Sequence, residues 1–146
     1  MLDAREGEGG AAVLGVDPGR RVGLAWVDAG GRLLRAEVVD EAALARLRVA
    51  PGVVVAVGDG TGSSSVCAAL ARAGLRPVLV DERATSEEGR RLYWRDHPAR
   101  GWRRLIPAGL RVPPRPLDDY AAYAIALRWL GRPAALVPVE AKRRGR

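Results

Sequence analysis

The sequence predicts an α/β fold, a mixed five-stranded sheet with three antiparallel strands followed by two parallel ones, flanked by helices. Three observations lead there. The first forty residues hold three apolar runs separated by turns short enough only for hairpins. Beyond residue 40, apolar runs alternate with helical periods, the pattern of crossover connections. The length of 146 residues suits one domain, which can bury well over half of its unfolded surface.

Taken in order, residues 1–10 are polar and are expected to be flexible, and the domain proper spans 11–131. Residues 11–17 read as a buried strand ending in Asp17-Pro18-Gly19, and 22–28 as a second strand. Ala29-Gly30-Gly31 makes a tight turn into a third strand at 32–39. Asp40 is placed to cap a helix through about residue 48, which Pro51-Gly52 breaks. Val53 to Val57 is an unbroken β-branched and small apolar run, as a strand buried on both faces requires. A helix is expected over 63–73, closed by Gly74, then a fifth strand over 75–80 and a helix over 86–95. The stretch 97–116 holds five prolines and reads as mostly irregular. An apolar helix over 117–130 stops at Gly131, and 132–146 forms a basic tail.

Cys67 is the only cysteine, which excludes an internal disulfide and a multi-cysteine zinc site. No run reaches the roughly 18 apolar residues of a membrane span, and the opening has no hydrophobic signal core. A cytoplasmic protein is therefore expected, with no membrane partner. Net charge is +7, and Lys142 is the sole lysine. Between Arg83 and Arg115 nine arginines face only Glu87, Glu88 and Asp96, so one segment carries most of the surplus. Concentrated arginine suits a surface that tracks phosphates, since guanidinium pairs with phosphate through two bonds. Nucleic acid is the expected partner.

If the first, fourth and fifth strands are parallel, their C-terminal ends share one sheet edge, where open α/β sheets gather ligands. Each of those ends carries an acid: Asp17, Asp59, and Asp81-Glu82. Asp118-Asp119, at the start of the last helix, can lean over the same edge. Adjacent acids point in different directions on a helix, so at most one of this pair aims directly at the site. Neighbouring strands lie about 4.8 Å apart, so these acids can converge on one or two hard cations. Phosphodiester hydrolysis uses such convergence: two Mg²⁺ or Mn²⁺ ions about 4 Å apart activate water and steady the leaving oxygen.

These motifs also resemble a known family. Val13-Leu14-Gly15-Val16-Asp17-Pro18-Gly19 with Val22-Gly23-Leu24-Ala25 is similar to the opening of the YqgF/RuvX family. Asp81-Glu82-Arg83-Ala84-Thr85-Ser86 resembles its second motif, and Asp119-Tyr120-Ala121-Ala122 its third. The matches run in order over nearly the whole chain. The resemblance implies an RNase H-like fold akin to the Holliday-junction resolvase RuvC. It also implies a metal-dependent nuclease, acting in maturation of the 5′ end of 16S ribosomal RNA, or on branched or single-stranded nucleic acid. Asp17, Glu82 and Asp119 would be its catalytic metal-binding carboxylates, and Arg83 would sit near the scissile phosphate. Two departures stand out. Gly58-Asp59-Gly60-Thr61-Gly62-Ser63 replaces the Gly-Leu-Pro of many members, so Asp59 either adds to the metal ligands or replaces Glu82 as the principal one. The second departure is the basic insert of about residues 95–116, which is longer than the usual link.

The full metal-ligand set is then Asp17, Asp59, Glu82, Asp118 and Asp119, holding two ions of Mg²⁺ or Mn²⁺. The nucleic-acid set is Arg20, Arg21, Arg83, Trp94, Arg95, Trp102, Arg103, Arg104, Arg111 and Arg115. In the insert, aromatic rings can stack on unpaired bases while arginine holds the backbone, and the prolines keep the segment stiff. His97 reads as a loop residue rather than a general base. Two other functions fit parts of the pattern. The Gly58–Ser65 segment could cradle phosphates in an ATPase, though such proteins use two domains around the nucleotide. A non-catalytic RNA-binding ribosome-assembly factor could use the same basic surface. RNA or DNA as substrate, endo- or exonucleolytic cutting, and monomer or homodimer all stay open; pre-ribosomal particles are a further partner.

Overall fold

A computed structural model describes residues 10–107 and 110–131; the opening up to residue 9 and the basic tail of 132–146 lie outside the described residues. Five strands form: β1 (Ala11–Asp17), β2 (Val22–Asp28), β3 (Leu33–Val39), β4 (Val54–Gly58) and β5 (Val78–Val80). They make one sheet in the order β3-β2-β1-β4-β5, with β1–β2 and β2–β3 antiparallel and β1–β4 and β4–β5 parallel. Three α-helices cover it: α1 (Ser63–Arg72), α2 (Thr85–Asp96) and α3 (Asp118–Trp129). The expected mixed sheet flanked by helices is thus what the chain adopts. No helix among the described residues is long and apolar enough to cross a membrane.

Side chains alternate across the strands and divide the core in two. Leu14, Val16, Leu24, Val55 and Val57 pack with α1 residues on one face. Val13, Ala25, Val27 and Ala56 pack with α2 and α3 on the other. Asp17 follows the parity of Val13 and Gly15, so it leaves β1 on the α3 side.

Three elements differ from expectation. Residues 41–46 form a 3-10 helix rather than an α-helix, and the Asp40 side chain makes no cap bond. Six residues before a chain reversal leave little room for α-helical i→i+4 bonding, and the tighter i→i+3 turn closes instead. The fifth strand is only three residues long because Pro77 has no N–H to add to the ladder. Within the insert, residues 101–105 form a 3-10 helix.

α3 is the centre of the second layer. Asp119 to Leu127 are all buried, so the helix is covered all round rather than along one stripe. Its first turn lies closer to its neighbours than any side chain would permit. A Cβ on Gly23 would stand 1.8 Å from the Asp118 carbonyl oxygen, and one on Gly15 would stand 2.1 Å from that of Ala122. A Cβ on Gly89 of α2 would reach 2.7 Å from the Tyr120 carbonyl carbon. All three obstacles are backbone, which cannot swing aside.

Gly23→Ala is therefore expected to destabilise the fold by about 2–3 kcal/mol, the upper range for overpacking, measured by urea denaturation. A variant as stable as the parent would mean that α3 does not depend on this close seat.

Candidate active site

β1, β4 and β5 run parallel, so Asp17, Asp59 and Asp81-Glu82 all emerge at one edge of the sheet. Register brings the start of α3 to the same edge: Asp17 pairs with Gly23 across β1 and β2, and Gly23 is where the backbone of Asp118 rests. A cleft of about 450 Å³ opens here, lined by Asp17, Arg20, Glu41, Thr61, Glu82 and Ser86 among others.

Asp17 is the electrostatic centre of the cleft. Its pKa is pushed up to about 7, first by burial and then by the negative charges of Asp118 and Glu82. Acids from the β5–α2 loop and from α3 therefore both act on the one that ends β1. Among the described residues no three His, Cys, Asp or Glu side chains stand close enough together, as placed, to hold a metal ion.

Glu82 is held with unusual thoroughness. Its N–H donates to Asp59 Oδ1 at 3.2 Å, and its carbonyl accepts from Thr85 Oγ1 at 2.7 Å and from the Thr85 N–H at 3.1 Å. Arg128, from the last turn of α3, donates to the carbonyls on either side, those of Asp81 at 2.7 Å and Arg83 at 2.6 Å. The same guanidinium pairs with Glu88 of α2. The carboxylate itself lies over Gly58 and Gly60, where a Cβ would stand 2.5 Å and 1.3 Å from its oxygens. Ala84, two residues on, holds φ +64°, a left-handed conformation that costs a non-glycine residue about 1 kcal/mol.

The other sequence-predicted acids have different surroundings. Asp59 is exposed and spends one oxygen on the Glu82 N–H; it braces Glu82. Asp81 pairs with Arg83, which holds its carboxyl below the usual range. Asp119 is 6% exposed and gives both oxygens to Arg115, at 2.9 and 3.1 Å. Of the Asp118-Asp119 pair, Asp118 is the one whose charge reaches Asp17.

The nucleic-acid set separates into outward and inward groups. Arg20 lines the cleft, and Arg21 is exposed beside it in sequence. The Arg83 side chain is 90% exposed while paired to Asp81. Trp102, Arg103 and Arg104 are exposed. Arg95 turns inward to Asp96 and the Tyr123 hydroxyl. Trp94 is half-buried with Arg111 over its ring, and Arg115 spans Asp119 and the Tyr93 ring. His97 stacks on Tyr93, away from the cleft-lining residues. Arg128 and Thr85 were missed as site residues. A single arginine closing the apolar run of α3 was the available signal for the first; the Thr85 bond depends on a turn geometry that composition does not reveal.

Comparison with protein-family models gives no match, and comparison with curated proteins gives no significant match either.

Because the folded chain holds the Asp17 proton more tightly than the unfolded chain does, stability falls as pH rises from about 4 to about 7. Asp17→Asn removes that penalty. In chelator, the variant should exceed the parent by about 2 kcal/mol at pH 8, a figure reduced for the water that still reaches the carboxyl. The gain should vanish by pH 4. An equal gain at both pH values in denaturation curves would rule out charge as its origin. Arg128→Met should lower stability by about 1–2 kcal/mol and speed amide exchange at Glu82 and Thr85; unchanged exchange there would remove Arg128 as the brace.

Proposed function

We propose that the chain is a metal-dependent nuclease that hydrolyses phosphodiester bonds at the cleft, and a divergent relative of the YqgF/RuvX proteins with an RNase H-like fold. The observation that carries this reading is that Glu82 and Asp118 both bear on Asp17 at the edge where β1, β4 and β5 end. Burial first, and then the negative charges of Asp118 and Glu82, raise the Asp17 carboxyl to about 7, so the fold keeps acids together at a cost. A divalent cation would offset that cost.

The donor set fits such an ion. It consists of carboxylate oxygens from residues without nearby histidine or cysteine ligands, the chemistry preferred by Mg²⁺ or Mn²⁺. Asp17, Glu82 and Asp118 would hold it, with Asp59 acting through the Glu82 backbone. The ion would supply a Lewis acid for the phosphoryl oxygens and lower the pKa of water. The chain's own part is positioning. The bonds of Asp59, Thr85 and Arg128 fix the Glu82 backbone, and the glycines at 58 and 60 leave room for its carboxylate. Arg20, on the cleft wall, would pair with a substrate phosphate.

With Mn²⁺ present, the full chain should cleave at least one of single-stranded RNA, single-stranded DNA or a four-way junction. Asp17→Asn should slow that cleavage about a thousandfold or more while leaving the fold and nucleic-acid binding intact. Salt-sensitive RNA binding without cleavage under any divalent ion would instead make the protein a ribosome-assembly factor.

A further inference from the structure

The insert between α2 and α3 folds on itself. Arg111 Nε donates to the carbonyls of Arg103 and Ile106, at 3.2 and 2.8 Å, and its Nη2 to that of Arg104 at 3.1 Å. The same guanidinium lies 5.8 Å from the centre of the Trp94 ring, which is half-buried at the end of α2. Arg111 thus gathers the carbonyl end of the 101–105 helix and seats it on the domain. Arg115 secures the far end through Asp119. A segment free of acids from residue 97 to 117 is tied down at two points by its own arginines.

What this segment turns outward is unusual. Trp102 is 70% exposed, and Leu105, Leu110 and Val112 are more exposed still. Four of the six large exposed hydrophobic residues among those described lie within these eleven positions. Burying such side chains would stabilise a fold by about 1.5–3 kcal/mol each, so a concentration of them in water marks a contact surface. The surface is also cationic: Arg100, Arg103 and Arg104 are exposed, and Arg103 sits 6.0 Å from the centre of the Trp102 ring.

We propose that the 100–105 turn is a nucleic-acid contact separate from the carboxylate cleft, with Trp102 as a stacking platform for an unpaired base and Arg103 and Arg104 holding the adjoining phosphates. Charge selects a polyanion, and the flat exposed ring selects the face of a base, which a duplex offers only at its ends. Because the turn is held in shape by Arg111, little is lost in ordering it on binding. The insert leads in sequence into α3, and the strand held on the turn is taken to be part of the nuclease substrate. In this respect the inference rests on the nuclease reading.

The test uses the 146-residue chain in chelator, where no divalent ion supports cleavage, with fluorescein-labelled 12-nucleotide oligo(dT) and oligo(U), a 12-base-pair duplex closed at both ends by non-base linkers, and vesicles of phosphatidylglycerol and phosphatidylcholine. Trp102→Ala should weaken single-strand binding roughly five- to a hundredfold. Trp102→Phe should retain most of the affinity, and duplex binding should be unchanged in both. Near-ultraviolet circular dichroism and melting curves of the variants check that the fold is kept, as expected for so exposed a side chain. Unchanged single-strand binding in Trp102→Ala, an equal loss on the duplex, no strand binding by the parent, or Trp102-dependent binding to vesicles alone would each overturn the proposal. Trp102-dependent strand binding without cleavage in Mn²⁺ would sink the nuclease reading and keep the platform. Cleavage with Trp102-independent binding would do the reverse.

Discussion

The close seat of α3 on Gly15, Gly23 and Gly89 is the constraint on which the rest of the molecule depends. A helix normally stands off its neighbours by the length of their side chains. Here three glycines from β1, β2 and α2 remove that spacing along one turn. The approach makes the helix the common wall of both outer elements, which explains why nine successive residues are buried. It also carries Asp118 to the end of β1. Core packing therefore also positions Asp118, while Glu82 is held by its own ties to Asp59, Thr85 and Arg128.

Charge is divided by sign across the molecule. The acids gather where three parallel strands end, and the arginine surplus lies mainly in α2 and the insert that follows it. Much of that surplus is nevertheless spent internally. Arg95, Arg111, Arg115 and Arg128 each satisfy carbonyls, carboxylates or a tyrosine hydroxyl of the chain itself. A count of arginines therefore overstates the cationic surface of the insert, where Arg100, Arg103 and Arg104 are the ones that stay turned outward.

Most of the fold was legible from pattern. Strand ends at Asp17 and Asp28 and the start of α1 at Ser63 sit where apolar alternation and turn residues place them. The 41–46 segment was misjudged because its composition suits either helix type, and only the tight reversal after it decides. Within the site, the strand-end acids were visible because topology alone brings them together. The division of labour between Asp118 and Asp119 was not. It turns on Arg115, four residues earlier, reaching the Asp119 carboxylate, while it is the Asp118 charge that acts on Asp17. The inward turn of Arg111 was equally hidden, since its partners are backbone carbonyls, which every residue possesses.

Ala84 gives the Glu82 loop a character beyond rigidity. An alanine in left-handed backbone has no shallow slope by which to relax; the sterically allowed regions are separated, and it either stays or flips to the right-handed well. The ties to Asp59, Thr85 and Arg128 keep it on the disfavoured side. Weakening them one at a time would not let the carboxylate drift by small degrees. The loop would instead exchange between two discrete shapes, so that injury at a distance reaches the cleft as a change in the fraction of competent molecules rather than as a uniformly poorer site.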